Sequence, residues 1–156
     1  DMNEYPIASI LDEASMISLF SNNKLIMGIN FDIGKISEED YEFLKPLEEI
    51  PNSVNYIGKL SLEDSCAVIS QADLMVSGDS GPLHIATALS IKSIGLYGSM
   101  PVNRTGCYCN GINIKSDKKC VPCNRRKCKF LKKTKKLYAP CMEEIEIDKI
   151  MEKISL

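Results

Sequence analysis

Between Ala72 and Gly98 the chain reads ADLMVSGDSGPLHIATALSIKSIGLYG, and few folds accept that order of residues. Asp73 to Ser77 is an apolar run of strand length, the pattern of a strand buried on both faces. Gly78-Asp79-Ser80-Gly81 then turns the chain, and Pro82 suits a first helical turn, where its missing N–H costs nothing. Leu83, Ile85, Ala86, Ala88 and Leu89 are small and apolar enough to lie on a sheet. Lys92 to Tyr97 predicts the next strand, left through Gly98-Ser99-Met100-Pro101. A helix that opens just past a strand end offers free backbone N–H groups and a favourable dipole to an anion. His84, the one histidine of the chain, falls in that first turn. This is where the chemistry is expected.

The flanking sequence repeats the same alternation. Ile10 to Phe20 has helical spacing, Lys24 to Asn30 reads as a strand, and Ser37 caps an acidic helix start running towards Ile50. Val54 to Ile57 is read as a strand, and Ser61-Leu62-Glu63-Asp64 as the capped start of a helix ending near Gln71. The order implies an α/β fold, a Rossmann-like parallel sheet with helices on both faces. Ligands on such sheets bind outside the carboxyl ends of the strands, which would put Gly58-Lys59-Leu60, Gly78 to Gly81 and Gly98 to Pro101 on one rim. Residues 102–141 are too irregular to predict an element. Glu143 to Ile154 reads as a closing helix with an apolar stripe of Ile145, Ile147, Ile150, Met151 and Ile154. Residues 1–101 are thus expected to form a Rossmann-like core, with 102–156 completing the same domain.

Composition narrows the function classes. Hydrophobic residues at 44% and charged residues at 26% are ordinary for a globular domain. No run approaches the roughly 20 apolar residues of a membrane span. Residues 1–20 lack the basic head and cleavage signal of a secretory leader, so a cytoplasmic location is expected. The net charge of −2 hides an asymmetry: residues 115–136 hold eleven of the nineteen Lys and Arg against the single acid Asp117. Such a run is either a solvated loop or a patch for an anionic partner. Of seven cysteines, Cys120, Cys123, Cys128 and Cys141 crowd together in sequence, and the first spacing suits a structural four-thiolate zinc site; simple packing is the competing reading.

Three blocks resemble one family. Lys59-Leu60-Ser61-Leu62-Glu63, Ala72-Asp73-Leu74 and Asp79-Ser80-Gly81-Pro82-Leu83-His84-Ile85-Ala86 are similar to the second domain of the bacterial heptosyltransferases, glycosyltransferase family 9. Tyr97-Gly98 and the Cys120-Val121-Pro122-Cys123, Cys128, Cys141-Met142 ending extend the resemblance, which covers roughly residues 25–156. It implies the C-terminal, donor-binding half of a GT-B glycosyltransferase, moving a heptose-like sugar from a nucleotide diphosphate such as ADP-heptose to lipopolysaccharide core. It implies inversion at the sugar, no cofactor for transfer, and a catalytic carboxylate in the other domain, hence no catalytic base in this chain. A peripheral place at the inner membrane would suit the basic segment.

Site residues follow from motif and resemblance together. Asp79, Ser80, Gly81 and His84 would meet the donor: amides of Ser80, Gly81 and Leu83 and the side chains of Ser80 and His84 at the diphosphate, and Asp79 orienting the loop or accepting from a sugar hydroxyl. Lys59 and Leu60 would flank the base, and Asp32 or Glu38 the ribose. The alternative is a zinc-stabilised basic module that binds nucleic acid or an anionic glycolipid without catalysis. Within 115–136 only Phe130 could stack on a base, which weighs against single-strand binding.

Overall fold

The computed structural model describes the backbone of residues 25–28 and, with side chains, residues 49, 54, 56, 59–125, 128–130 and 139–154. Four parallel strands form one sheet in the order β1 (Leu25–Gly28), β2 (Leu74–Gly78), β3 (Ser93–Tyr97), β4 (Gly111–Lys115). The registers pair Met27 with Val76, Val76 with Ile94 and Ile94 with Ile112. Parallel neighbours require crossovers, and right-handed crossovers in sequential order put their segments on one face. The helices obey this: α1 (Leu62–Ser70), α2 (Gly81–Ala88) and the short α3 (Val102–Thr105) follow one another along that side.

Strand alternation divides the core in two. Met75 and Tyr97 face the crossover helices and pack with Ile69, Leu83 and Ala86, with Val102 and Cys107 at the margin. Leu74, Val76, Ile94, Leu96 and Ile114 face the other way and are covered by Ile145 and Ile150. The last two belong to the chain's return, in which α4 (Pro140–Glu143) is followed by α5 (Ile147–Ile154). Helices therefore cover both faces, as expected, and the expected stripe of Ile145, Ile147, Ile150, Met151 and Ile154 all joins the second core. The closing helix starts at Ile147, four residues later than predicted; Ile145 sits before it, its N–H bonded to the Met142 carbonyl at 3.2 Å.

Other boundaries follow their local signals. Ser61 caps α1: its Oγ accepts from the Asp64 N–H at 3.0 Å and donates to Asp64 Oδ2 at 2.8 Å. Two elements within 102–141 were not predicted. Gly111-Ile112-Asn113-Ile114-Lys115 is an edge strand whose two isoleucines face the second core, while the Asn113 side chain binds both backbone groups of Cys107. With β4 in the sheet, the core does not stop at residue 101. In the reverse direction, Val54 and Tyr56 are exposed and not in a strand, so the apolar stretch 54–57 does not join the sheet at its described positions. The elements predicted around 10–20 and 37–50 lie outside the described residues, apart from Glu49.

Candidate functional site

The carboxyl ends of β2 and β3 give the expected rim, and the β2–α2 turn is its centre. Ser80 is the N-cap of α2 in extended conformation, and Pro82 occupies the first turn. The His84 N–H reaches back to the Ser80 carbonyl at 3.3 Å. The N–H groups of Gly81 and Leu83 precede the first helical bond and have no partner within the helix. Gly81 is exposed, and a Cβ built on it would meet nothing within 4 Å. Neither packing nor a left-handed backbone demands glycine there, so the space its missing side chain leaves opens outward.

Two acidic and basic groups converge at this turn. Asp79 Oδ1 lies 3.3 Å from His84 Nε2, with the aspartate side chain 18% exposed and the imidazole 42%. The other oxygen of Asp79, Oδ2, accepts from Thr105 Oγ1 at 2.9 Å. Thr105 is in turn held from below, because the buried Tyr97 donates its hydroxyl to the Thr105 carbonyl at 2.9 Å. Burial pushes the Tyr97 phenol far above its ordinary range, with the neighbouring Cys107 and Asp79 adding to the effect, so the phenol stays a donor. Burial likewise raises the Cys107 thiol.

The predicted site residues separate into three groups. Asp79, Gly81 and His84 share the turn and present themselves outward. Ser80 shares the turn but its side chain does not serve the rim: it is buried, with Oγ 2.8 Å from Ser77 Oγ on β2. A hydroxyl in the N-cap position is tied to the strand below, and Ser80 as a whole is buried. Lys59 and Leu60 precede α1 in a turn where the Lys59 N–H bonds the Tyr56 carbonyl at 3.1 Å. Antiparallel packing of helix on strand puts that end of α1 on the same edge of the sheet as Gly81. Asp32 and Glu38 lie outside the described residues.

The cysteines gather without forming a ligand set. Among the described residues no three His, Cys, Asp or Glu side chains are grouped so as to hold a metal ion. Cys141 is buried beside Gly98, where a Cβ would come within 2.9 Å of its sulfur. The Cys123 and Asn124 N–H groups both bond the Ser99 carbonyl, at 3.0 and 2.8 Å, folding the Cys120–Cys123 loop over the end of β3. Burial raises the Cys141 thiol, and Cys128, Cys120 and Cys123 are near enough to raise it further. The four cysteines named from their spacing thus include a buried one, Cys141, with Cys120, Cys123 and Cys128 in its neighbourhood.

Sequence reading missed Thr105, Tyr97 as its support, and Ser77. Thr105 stands 26 residues from Asp79 in a stretch without periodicity, and no local signal marked it.

This geometry can be set beside known proteins. A family model described as glycosyltransferase family 9 (heptosyltransferase) matches residues 33–134. The chain belongs to that family. The lipooligosaccharide heptosyltransferase 2 of Campylobacter jejuni is 29% identical over 136 residues, which is 86% of this chain and 40% of the relative. The lipopolysaccharide core heptosyltransferase OpsX of Haemophilus influenzae is 45% identical over 62 residues, or 40% of this chain and 18% of the relative. The solved ADP-heptose LPS heptosyltransferase II of E. coli superposes with a TM-score of 0.64 at 18% identity, covering 97% of this chain and 40% of that one. The α/β layout of the family member is thus shared, and the chain spans about 40% of the length of the first relatives it matches. Among the described residues no helix is long and apolar enough to cross a membrane.

Proposed function

We propose that this chain is the donor-binding part of a glycosyltransferase that moves a heptose-like sugar from a nucleotide diphosphate, such as ADP-heptose, to a lipopolysaccharide-type acceptor. The observation that carries the reading is the opening of α2: the first-turn amide of exposed Gly81, the outward space beside it and a part-exposed imidazole on one edge of the sheet. A diphosphate would take the Gly81 amide and the His84 imidazole; the Leu83 amide, expected to join them, belongs to a residue that is fully buried. As the sugar departs, negative charge grows on the diphosphate, and the helix terminus and His84 would stabilise it electrostatically. Asp79 has the wrong sign to face a phosphate. Held against His84, it is better suited to receive a sugar hydroxyl.

The acceptor's proton must leave on the face opposite the diphosphate, and both His84 and Asp79 stand on the diphosphate side. The base for that step is therefore assigned to a facing domain of the kind the longer relatives have room for. Transfer in this scheme needs no metal. Exposed Lys115 ends β4 and exposed Lys119, Arg125 and Lys129 follow it, on the same edge as Gly81, and they supply positive charge for an anionic acceptor or membrane surface.

Titration with ADP, UDP and GDP followed by amide NMR tests the reading. One nucleotide should shift the Gly81 to His84 amides; no shift at millimolar ligand overturns the assignment.

A further inference from the structure

We infer that Thr105 is a positioning residue that fixes the Asp79 carboxylate against His84, an inference that rests on reading this rim as the donor site. Asp79 sits in a turn, and two rotatable bonds carry its carboxylate. One oxygen faces the imidazole at 3.3 Å, and the bond from Thr105 Oγ1 to the other oxygen, at 2.9 Å, is what holds the group in that orientation from the opposite side. Both oxygens thus have a polar neighbour before any ligand arrives.

Thr105 can do this because it is itself immobilised. It ends α3, a four-residue helix too short to persist by its own backbone bonds. Its carbonyl takes the Tyr97 hydroxyl, its N–H bonds the Pro101 carbonyl at 3.2 Å, and the Gly106 N–H closes on the Val102 carbonyl at 2.7 Å. A β-branched side chain has few rotamers, so a fixed backbone fixes the hydroxyl too. The connected order is Tyr97 on β3, Thr105 on α3, Asp79 after β2 and His84 on α2. It joins the ends of two adjacent strands to the first turn of the helix that opens on the ligand. The consequence is chemical: a carboxylate held at Nε2 favours the imidazole tautomer with its proton there and leaves Nδ1 bare. Loss of the Thr105 bond lets the carboxylate turn and the tautomers mix.

The single histidine of the chain makes the test direct. Imidazole ¹⁵N spectra are recorded at a pH above the histidine range for wild type, Thr105→Ser, Thr105→Val and Tyr97→Phe. Thr105→Ser should keep the wild-type separation of the two nitrogen resonances. In Thr105→Val the two should move towards each other, and Tyr97→Phe should give a smaller shift of the same sign. A folded Thr105→Val with the wild-type pattern overturns the inference; should that variant not fold, an unchanged pattern in Tyr97→Phe overturns it. ADP titration of the same samples separates the two levels. If wild type shifts with ADP while every variant keeps the wild-type imidazole pattern, the inference falls and the donor-site reading stands. If wild type ignores ADP while Thr105→Val still disturbs the imidazole, the relay is real and the donor-site reading falls.

Discussion

Gly95 makes room for Tyr97: a Cβ at position 95 would stand 2.6 Å from Cε2 of the Tyr97 ring and 2.8 Å from its hydroxyl. The two residues are on the same face of β3, and the same Cβ would meet Cys107 Sγ at 2.9 Å. The ring can lie along the strand only because its neighbour two residues back has no side chain. From there its hydroxyl reaches Thr105, which holds Asp79.

Gly95→Ala should therefore cost about 1–3 kcal/mol, the usual penalty for overpacking a core. Urea unfolding measures it. Because the clash is with a ring that cannot move into the sheet, the ring must lift, and the bond to Thr105 should be lost with it. A variant as stable as wild type would show that the core on this face is loose.

Gly81→Ala is expected to act the other way. No atom stands near the added methyl, and the backbone needs no glycine. Stability should be unchanged or rise by about 0.4–1 kcal/mol, since alanine restricts the unfolded chain. Nucleotide affinity should fall if the proposed donor site is right, because the methyl would occupy the open space assigned to a phosphate oxygen. Calorimetry with thermal unfolding reads both quantities, and unaltered affinity would place the anion elsewhere on the rim.

Acid should release the tie between β4 and α4. The Ser116 hydroxyl donates to Glu144 Oε2 at 2.6 Å, and Lys118 Nζ to Oε1 at 3.4 Å; together they hold the Glu144 carboxyl below its ordinary value. A carboxyl with a lowered folded pKa adds stability above its unfolded pKa, about 4.3 for glutamate, and loses that contribution as pH falls through the folded value. Ser116→Ala should be less stable than wild type at neutral pH, and the gap should narrow on acidification below about pH 4. Melting temperatures across pH test this; a gap that does not narrow would assign the loss to packing of the buried serine.

Cysteine reactivity should rank by burial. Cys109 is exposed, while Cys107 and Cys141 carry thiols raised by burial. Since the thiolate is the reacting species, iodoacetamide at neutral pH should modify Cys109 first and Cys107 and Cys141 only on unfolding. Mass spectrometry after graded exposure gives the order. Early modification of Cys141 would mean that the return of the chain over the second core opens readily.

Local residue chemistry determined a good part of this protein. The apolar run before Gly78, the cap at Ser61, Pro82 in a first turn and the stripe from Ile145 to Ile154 each carry their instruction within a few residues, and the structure follows them. The turn from Asp79 to His84 was legible as a helix start after a strand for the same reason, since that is a local event. Val54 and Tyr56 read as strand residues because hydrophobicity alone cannot say whether a sheet has a place for them, and both are exposed outside it. Gly111–Lys115 was overlooked because two isoleucines among polar residues make a strand only when β3 offers an edge. Tertiary structure alone decided which partners the candidate site residues meet. It turned the Ser80 hydroxyl down to Ser77, and it brought Thr105 across 26 positions to Asp79. The second bond joins segments that a crossover brings side by side, and the first, though it spans only three residues, forms because the turn folds back on the end of β2; no periodicity along the chain encodes which polar groups will meet once the sheet has formed.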